Sequence, residues 1–417
     1  MQKAALGQRD VQHIEHKVEA LARHPNLGVY MDHNATTPLA PEALDAMLPY
    51  LTWNYGNASS IHEFGIQARY GIEKARMQVA RLINAPDPED VIFTGCGSEA
   101  DNLALRCVAR LFPDKRHLIT TAVEHKAILE SAHVLEEEGY EVTFVRVDDQ
   151  CRIDPAAVAE AIRPQTYLVS IMFANNETGV IQPIAEIAQL CRERGVLFHT
   201  DAVQAVGRIP IDVQALGVDL LSASAHKLYG PKGVGALYVR PGLKFRGLIV
   251  GGSHERGFRA GTENVAGGVG FGAAARLAQQ RMAEEGPRLA QLRRSLWAAL
   301  QTRVPDVLMN GSLEDRLPGT LNIRFGGLSG QRLVTELNAR GVAISAGSAC
   351  TSVGTSHSHV LLGMGLAEDD ALGSVRISLG RANTPADVDY VMTFLPELVE
   401  QLREEFRRER DRPDAEC

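Results

Sequence analysis

Several chemical signatures are missing from this chain of 417 residues. It has no Cys-x-x-Cys or His-Glu-x-x-His spacing, the spacings typical of zinc knuckles and zincins. It also has no apolar run approaching the roughly 18 to 20 residues that a membrane-spanning helix needs. We therefore predict neither a metal centre nor a membrane span.

Positive charge and paired cysteines are also scarce. The formal net charge of -8 argues against nucleic-acid binding, because that affinity comes mainly from lysine and arginine neutralising phosphates. The six cysteines lie far apart in a chain long enough to form its own core, so we expect reduced thiols. Residues 1–28 mix charges of both signs and lack the apolar core of a signal peptide. These features predict a cytoplasmic protein.

The chain does contain a regular alternation of strand-like and helix-like segments. Between residues 40 and 283, short β-branched runs alternate with longer amphipathic stretches, which predicts an α/β domain with a mostly parallel seven-stranded sheet. The predicted strands are 91–93, 117–121, 142–147, 167–172, 196–200, 220–222 and 235–238, and the predicted helices include 67–83, 99–109 and 184–194.

The pattern changes beyond Glu285. A polar helix is predicted at 289–302, then short strands, then a long charged helix after the start signal Thr384-Pro385. We assign residues 29–39 and 284–417 to a smaller α+β domain, and 1–28 to an N-terminal extension.

One lysine follows an apolar strand in the segment SASAHKLYGPKG, residues 222–233. Lys227 lies there between small hydroxyl residues and a glycine-rich turn. Burial lowers the pKa of a lysine, and a neutral amine can attack an aldehyde to form a Schiff base. A solvated surface charge is the alternative for this lysine taken alone.

A carboxylate ends the strand upstream, in the segment FHTDAVQ, residues 198–204. Asp201 could hold a pyridine nitrogen protonated, which is what makes pyridoxal phosphate an electron sink. The alternative is that Asp201 is a helix N-cap.

A small-residue turn joins a strand to a helix in FTGCGSEADN, residues 93–102. Exposed backbone N–H groups at such a turn can bind phosphate, and glycine lets the backbone approach an anion closely. Gly97 and Ser98 are the candidates here. A plain strand-to-helix turn is the alternative.

Two further side chains stand out near the C-terminus. Cys350 lies among small residues in ISAGSACTSVG, residues 344–354, where a thiol could move, although a buried structural cysteine is the alternative. Arg376 lies inside a predicted strand and needs an anion; its planar guanidinium suits a substrate carboxylate, and a structural salt bridge is the alternative.

These segments, in this order, resemble the cysteine desulfurases, a branch of the fold-type I pyridoxal-phosphate enzymes related to class V aminotransferases. The resemblance spans residues 30–402. Besides the segments above, the motifs that carry it are YMDHNATT at 30–37, YGNASSIH at 55–62, EHK at 124–126, NNE at 175–177 and RAGTEN at 259–264.

The resemblance implies a role for each matching residue. Lys227 would bind pyridoxal 5'-phosphate covalently, Asp201 would pair with the pyridine nitrogen, and His125 would stack on the ring and take part in proton transfer. Asn176 and Gln204 would approach the phenolic oxygen. The phosphate would be held by Gly97, Ser98, Ser224, His226 and, from the second subunit of a homodimer, Thr262.

The resemblance also implies the reaction. L-cysteine would bind through Asn34, Asn176 and Arg376, and its sulfur would pass to Cys350 as a persulfide, with release of L-alanine. A sulfur-acceptor protein such as an iron-sulfur scaffold would then take the sulfur. The variant Gly95-Cys96 and the absence of proline before Ser358 depart from the common family pattern without removing a catalytic group.

Three rival functions are weighed against this one. A selenocysteine lyase or aminotransferase-like lyase would not need Cys350 in its Ser-Ala-Cys-Thr-Ser setting, and a non-catalytic scaffold would not need Lys227. A nicotinamide enzyme is suggested by GVGFGA at 268–273. That run lies in a predicted helix and follows no strand, so the tight phosphate-binding turn of a dinucleotide site is missing.

Overall fold

The computed structural model describes residues 28–346 and 357–410. The strands in these residues are β1 (Val29–Tyr30), β2 (Val91–Thr94), β3 (His117–Thr121), β4 (Glu141–Val145), β5 (Thr166–Ser170), β6 (Leu197–Asp201), β7 (Leu220–Ser224), β8 (Gly235–Val239), β9 (Val307–Met309), β10 (Thr320–Phe325), β11 (Val342–Ala343) and β12 (Ser374–Ser378).

The α-helices in the same residues are α1 (Pro41–Thr52), α2 (Glu63–Leu82), α3 (Gly97–Asn102), α4 (Lys126–Glu137), α5 (Pro155–Ala161), α6 (Ile184–Glu193), α7 (Val213–Leu216), α8 (Val265–Arg303), α9 (Gly330–Ala339), α10 (His359–Gly363), α11 (Glu368–Leu372) and α12 (Pro385–Arg410). A π-helical turn, Leu103–Cys107, continues α3. None of these helices combines the length and the apolar character needed to cross a bilayer.

The large sheet has seven strands in the order β2-β8-β7-β6-β5-β3-β4. All neighbours are parallel except β8, which runs antiparallel to both β2 and β7. The predicted mostly parallel seven-stranded sheet is confirmed.

Helices cover both faces of this sheet, as expected for parallel strands that are buried throughout. One face packs against α2 and α8, through residues such as Ile72 and Phe271. The other face packs against α3 and α4, through Leu103 and Ile128. Because all five residues of β5, β6 and β7 are buried, the carboxyl ends of these strands are held in fixed relative positions.

A second core lies around the antiparallel sheet β12-β10-β9. It brings together Met31, Leu296 near the end of α8, Ile323 and Val375 from the sheet, and Leu395 from α12. This separate core supports the predicted smaller domain, whose boundaries at residues 29–39 and 284–417 remain a prediction.

Residues 289–302 are helical as predicted, but the helix does not begin near Leu289. Those residues form the end of one continuous helix, α8, which contains Pro287 in its interior. The glycine-rich run at 268–273 lies inside α8, so the prediction that it is helical is confirmed. A Cβ atom at Gly268 would come within 2.2 Å of Ile72 Cδ1, so close packing on α2 accounts for that glycine.

Candidate active site

A cavity of about 250 Å³ lies at the carboxyl ends of β5, β6 and β7, the edge at which ligands bind in parallel α/β sheets. Nine of the ten predicted cofactor-binding residues line it: Gly97, Ser98, His125, Asn176, Asp201, Gln204, Ser224, His226 and Lys227. The tenth, Thr262, is not part of this lining and is exposed.

Lys227 ends the single helical turn Ala225–Lys227 that follows β7. Its Nζ atom donates hydrogen bonds to the backbone oxygens of Asn34 at 2.6 Å and Ala35 at 2.7 Å. Burial, followed by the positive charges of Arg208 and Arg376, lowers the pKa of Lys227 to about 7. A large fraction of this amine is therefore neutral near pH 7 and can act as a nucleophile or base.

Asp201 is the last residue of β6 and is only 6% exposed. Its Oδ1 atom accepts a hydrogen bond of 2.9 Å from the backbone N–H of Val203. Burial raises the pKa of Asp201, while His125 and Lys227 favour its charged form. A cation at this end of the cavity would therefore stabilise the carboxylate.

His125 is the N-cap of α4, and its Nδ1 atom accepts from the backbone N–H of Ala127 at 3.2 Å. In a neutral ring this bond places the proton on Nε2. Burial lowers the pKa of His125, which favours the neutral ring. A neutral imidazole can stack on a flat ring without adding charge to the cavity.

Four lining residues carry buried polar atoms that have no hydrogen-bond partner among the described residues: Asp101 Oδ1, Asn176 Oδ1, Gln204 Oε1 and Ser224 Oγ. Leaving such groups unpaired costs free energy, so each one fits a ligand with complementary polar atoms. The Gln204 amide nitrogen donates one of its two N–H groups to the Asn34 backbone oxygen at 3.0 Å.

The turn between β2 and α3 has the predicted strand-turn-helix form. A Cβ atom at Gly97 would lie 2.9 Å from Val203 Cγ2, so only glycine fits this position without movement. Glu99 stabilises the turn by accepting a 2.7 Å hydrogen bond from the Gly95 N–H. The residues present fit a pyridoxal cofactor: Gly97 and Ser98 would suit its phosphate, and Asp201 and His125 would suit its pyridine ring.

His226 also borders the cavity. One ring nitrogen, Nδ1, lies 3.0 Å from Thr36 Oγ1. Burial lowers its pKa to about 4, so the ring is neutral at pH 7 and contributes hydrogen bonding rather than charge.

Arg376 lies in β12 and is 2% exposed. Its Nη2 atom pairs with Asp32 Oδ1 at 2.7 Å, and Nη1 donates to the Asn176 backbone oxygen at 3.1 Å. The salt bridge considered as an alternative is therefore present. The Nε atom of Arg376 is buried without a hydrogen-bond partner in the described part of the chain, which leaves one donor for an anion.

Asn34 is 1% exposed, and the protein itself uses its side chain. Its Nδ2 atom donates to Asn176 O and Thr320 Oγ1, both at 3.1 Å, and its Oδ1 atom accepts from Arg208. In this structure Asn34 reaches the cavity through its backbone oxygen, which accepts from Lys227.

Cys350 lies outside the described residues. The described residues on either side are bonded close to the cavity. Ser345 pairs through its backbone with Arg376, and Ser358 donates to Glu177. His359 Nε2 lies 2.9 Å from the backbone oxygen of Glu124, next to His125.

Sequence reasoning missed two titratable groups near Lys227 and the cavity. Arg208 donates to the backbone oxygens of His33 at 2.8 Å and Lys227 at 3.4 Å, and burial lowers its pKa to about 10. Asp101, from α3, lines the cavity and is 1% exposed. Arg208 lies in a loop without a recognisable pattern. Asp101 lies in the segment 93–102, which the sequence analysis identified, but no local feature of the sequence predicted its burial.

Comparison with known proteins agrees with this geometry. The family model described as Aminotransferase class-V matches residues 29–391. The chain is 50% identical over 380 residues to cysteine desulfurase IscS of Anaeromyxobacter dehalogenans strain 2CP-C, covering 90% of this chain and 93% of that protein. It is 47% identical over 382 residues to cysteine desulfurase IscS of Clostridium botulinum strain Hall, covering 91% and 96%.

Among solved structures, the fold is similar to a protein described as NifS-like. The TM-score is 0.85 at 38% sequence identity, and the match covers 90% of this chain and 100% of that chain.

Proposed function

The chain belongs to the class V aminotransferase family, and we propose that its cavity converts L-cysteine to L-alanine with the help of pyridoxal phosphate. It is a cysteine desulfurase of the fold-type I group. The observation that carries this function is the convergence of nine cofactor-type residues on one cavity around Lys227.

Bound pyridoxal phosphate supplies an aldehyde that reacts with amines and a protonated ring that accepts electrons from the substrate Cα atom. In our proposal Lys227 holds the cofactor and Asp201 keeps the pyridine nitrogen protonated. His125 covers the ring, while Asn176 and Gln204 offer their amide groups to the phenolic oxygen. Gly97, Ser98, Ser224 and His226 bind the phosphate.

Lys227 and His125 transfer the protons in the proposed reaction. The Nζ atom of Lys227 removes the Cα proton of cysteine, which the lowered pKa of about 7 permits near neutral pH. His125 exchanges a proton through Nε2, because Nδ1 is engaged with Ala127. Both groups then return their protons to the alanine product.

Arg376 binds the substrate carboxylate. Its buried Nε atom, which has no partner in the described residues, supports this role, as does its contact with the lining residue Asn176. We retain Asn34 as a substrate-binding residue on the basis of the family resemblance. Its backbone oxygen already lies 2.6 Å from Lys227 Nζ.

The sulfur atom passes to Cys350. The Cys350 thiol loses its proton, its thiolate attacks the substrate sulfur, and the Cβ–S bond breaks with its electron pair left on the substrate. Protonation of Cβ then gives alanine, and the sulfur remains on Cys350 as a persulfide. The acceptor that follows is, in this proposal, an iron-sulfur assembly protein.

A homodimer completes the site. Thr262 is exposed and lies outside the lining of its own cavity, as expected for a residue that serves the partner. A cluster of exposed large apolar side chains in residues 51–70 also fits a subunit interface: Leu51, Trp53, Tyr55, Ile61, Phe64, Ile66 and Tyr70.

We also propose a cytoplasmic location. The four cysteines within the described residues, Cys96, Cys107, Cys151 and Cys191, are all unpaired, which suits a reducing compartment.

A single-turnover reaction tests the function. Purified, cofactor-loaded protein is mixed with one equivalent of L-cysteine, and alanine and protein-bound persulfide are followed by mass spectrometry. We expect one alanine and one persulfide on Cys350, and neither from Cys350→Ala. Undiminished alanine from Cys350→Ala would favour a lyase, and no alanine from the loaded native chain would favour the scaffold.

A further inference from the structure

A chain of buried polar side chains lies behind Asp201, and the proposed mechanism does not use it. It begins at Asp101 in α3, whose carboxyl group interacts with the hydroxyl of Ser222 and whose buried Oδ1 atom has no hydrogen-bond partner in the described residues. Ser222 Oγ lies 3.0 Å from His199 Nε2, and His199 Nδ1 lies 2.8 Å from Ser170 Oγ. All four residues are at most 1% exposed.

The central histidine in this chain is neutral. Burial lowers the pKa of His199 to about 3, so it carries a single ring proton at pH 7. Its closest approach to Asp101 is 3.8 Å, from Nε2 to Oδ1, which is too long for a hydrogen bond.

A neutral histidine between two hydroxyls allows two proton arrangements. With Asp101 ionised, Ser222 donates to Asp101 and His199 donates to Ser222. With Asp101 protonated, every donor in this chain reverses: Asp101 donates to Ser222, Ser222 to Nε2, and Nδ1–H to Ser170. The protonated form therefore keeps the contacts from Ser222 through His199 to Ser170, and it avoids leaving a charged Oδ1 atom buried without a donor.

The surrounding charges favour the protonated form. The titratable groups that face Asp101 are Asp201 at the end of β6, Glu124 after β3, Cys96 before α3, and the neutral His199. No lysine or arginine in residues 28–346 and 357–410 forms an ion pair with Asp101. Burial first, and then the negative charge of Asp201, raise the pKa of Asp101 well above its usual range.

We propose that Asp101 is a positioning residue that keeps its proton at neutral pH, so that Asp201 is the single anion at the ring end of the cavity. Two neighbouring buried carboxyl groups do not both ionise readily. A proton held on Asp101 leaves Asp201 free to stay ionised. The consequence for the cofactor rests on the proposed function, since it requires a pyridine nitrogen beside Asp201.

The cofactor-free protein provides the first test. An unfolded chain loses the Asp101 proton near pH 4, whereas the folded protein retains it, so the stability from this residue is highest at low pH and falls as the pH rises. Relative to Asp101→Asn, the unfolding equilibrium constant of the native chain should rise by up to about tenfold per pH unit above pH 4. Denaturant titrations between pH 5 and 8 measure this ratio.

The matched control is Asp389→Asn, which makes the same change at an exposed position. The ratio between the unfolding equilibrium constants of the native chain and Asp389→Asn should not rise in this way with pH. Equal pH dependence in the native chain and Asp101→Asn would overturn the proposal, because it would mean that Asp101 is ionised in the folded protein.

Ser222→Ala provides a second variant if Asp101→Asn does not fold. The Ser222 hydroxyl favours the charged form of Asp101, so its removal should preserve the native pH slope and extend it to higher pH. A pH dependence of the unfolding equilibrium constant that is present in Ser222→Ala but absent from the native chain would also overturn the proposal.

A spectroscopic test addresses the cofactor. In protein loaded with pyridoxal phosphate, the pH midpoint of the cofactor absorption change should be the same in Asp101→Asn as in the native chain, and should move in Asp201→Asn. An equal shift in both variants would overturn the role of Asp101. Failure of the native chain to bind pyridoxal phosphate would contradict the proposed function instead, and the cofactor-free result would still stand.

Discussion

The residues proposed to bind the cofactor and those proposed to bind the substrate belong to different kinds of structure. On the cofactor side, Gly97, Asp201 and Lys227 each lie at or just after the end of a buried strand of one sheet. On the proposed substrate side, Arg376 comes from the smaller antiparallel sheet and Asn34 from the segment after β1, and both donate to the backbone oxygen of Asn176. The difference implies that the cofactor side can form within one domain, whereas the substrate side requires both.

Lys227 links the two sides, so its replacement should have the largest effect. We expect Lys227→Ala to lower the rate of alanine formation on the order of 10³-fold or more, because the Cα base and the cofactor attachment are lost together. Single-turnover alanine formation measures the loss. Lys227→Arg, which keeps the positive charge but not the nucleophile, should be equally slow; substantial activity in either variant would remove Lys227 from the mechanism.

Replacement of Arg376 should distinguish substrate binding from cofactor binding. Arg376→Lys keeps one charge but loses the planar fork, and we expect about a 10- to 100-fold fall in kcat/KM for L-cysteine, as for loss of a charge-assisted hydrogen bond. Cofactor affinity should stay within about threefold of the native value. If absorbance titration instead showed weak cofactor binding and kcat/KM followed it, the proposed division between the two sides would be wrong.

Gly97 tests how tightly the cofactor side is packed. Its missing Cβ atom would lie 2.9 Å from Val203 Cγ2, so Gly97→Ala should destabilise the protein by about 1–3 kcal/mol. Thermal unfolding measures this change. Val203→Ala removes the opposing methyl groups, so the double variant should recover most of the loss; strictly additive effects would show that this contact does not limit the site.

Arg208 should have the smallest effect on rate and a clear effect on pH dependence. Its positive charge lowers the pKa of Lys227, so Arg208→Gln should move the midpoint for cofactor capture by the cofactor-free protein from about pH 7 toward the ordinary lysine value. Stopped-flow absorbance against pH measures the midpoint. Arg208→Lys retains the charge and should keep the midpoint near that of the native chain; an identical shift in both variants would implicate packing rather than charge.

The difference between residues placed by strand ends and residues placed by distant packing explains which features could be predicted from the sequence. The strands of the large sheet and the turn at Gly97 follow from local patterns of apolar and small residues, and the structure confirms both. Lys227 and Asp201 were identified because they follow those strands. Local pattern was enough wherever a functional group is attached to a strand end.

Features set by distant packing could not be predicted. The sequence pattern placed the start of a polar helix near Leu289, yet α8 runs from Val265 through these residues to Arg303. Asp101 and Arg208 each look like ordinary polar residues, and their burial depends on strands and loops far away in the chain. The proposed role of Thr262 came only from the family resemblance, because it requires a second chain that local sequence patterns do not describe.

The account depends on pyridoxal phosphate bound at Lys227, and borohydride trapping tests this most directly. The loaded protein is reduced with sodium borohydride, digested, and mapped by tandem mass spectrometry. We predict one pyridoxyl group per chain, attached to Lys227 in the peptide that contains His226. A pyridoxyl group on a different lysine, or none on a protein shown to be folded, would contradict the account.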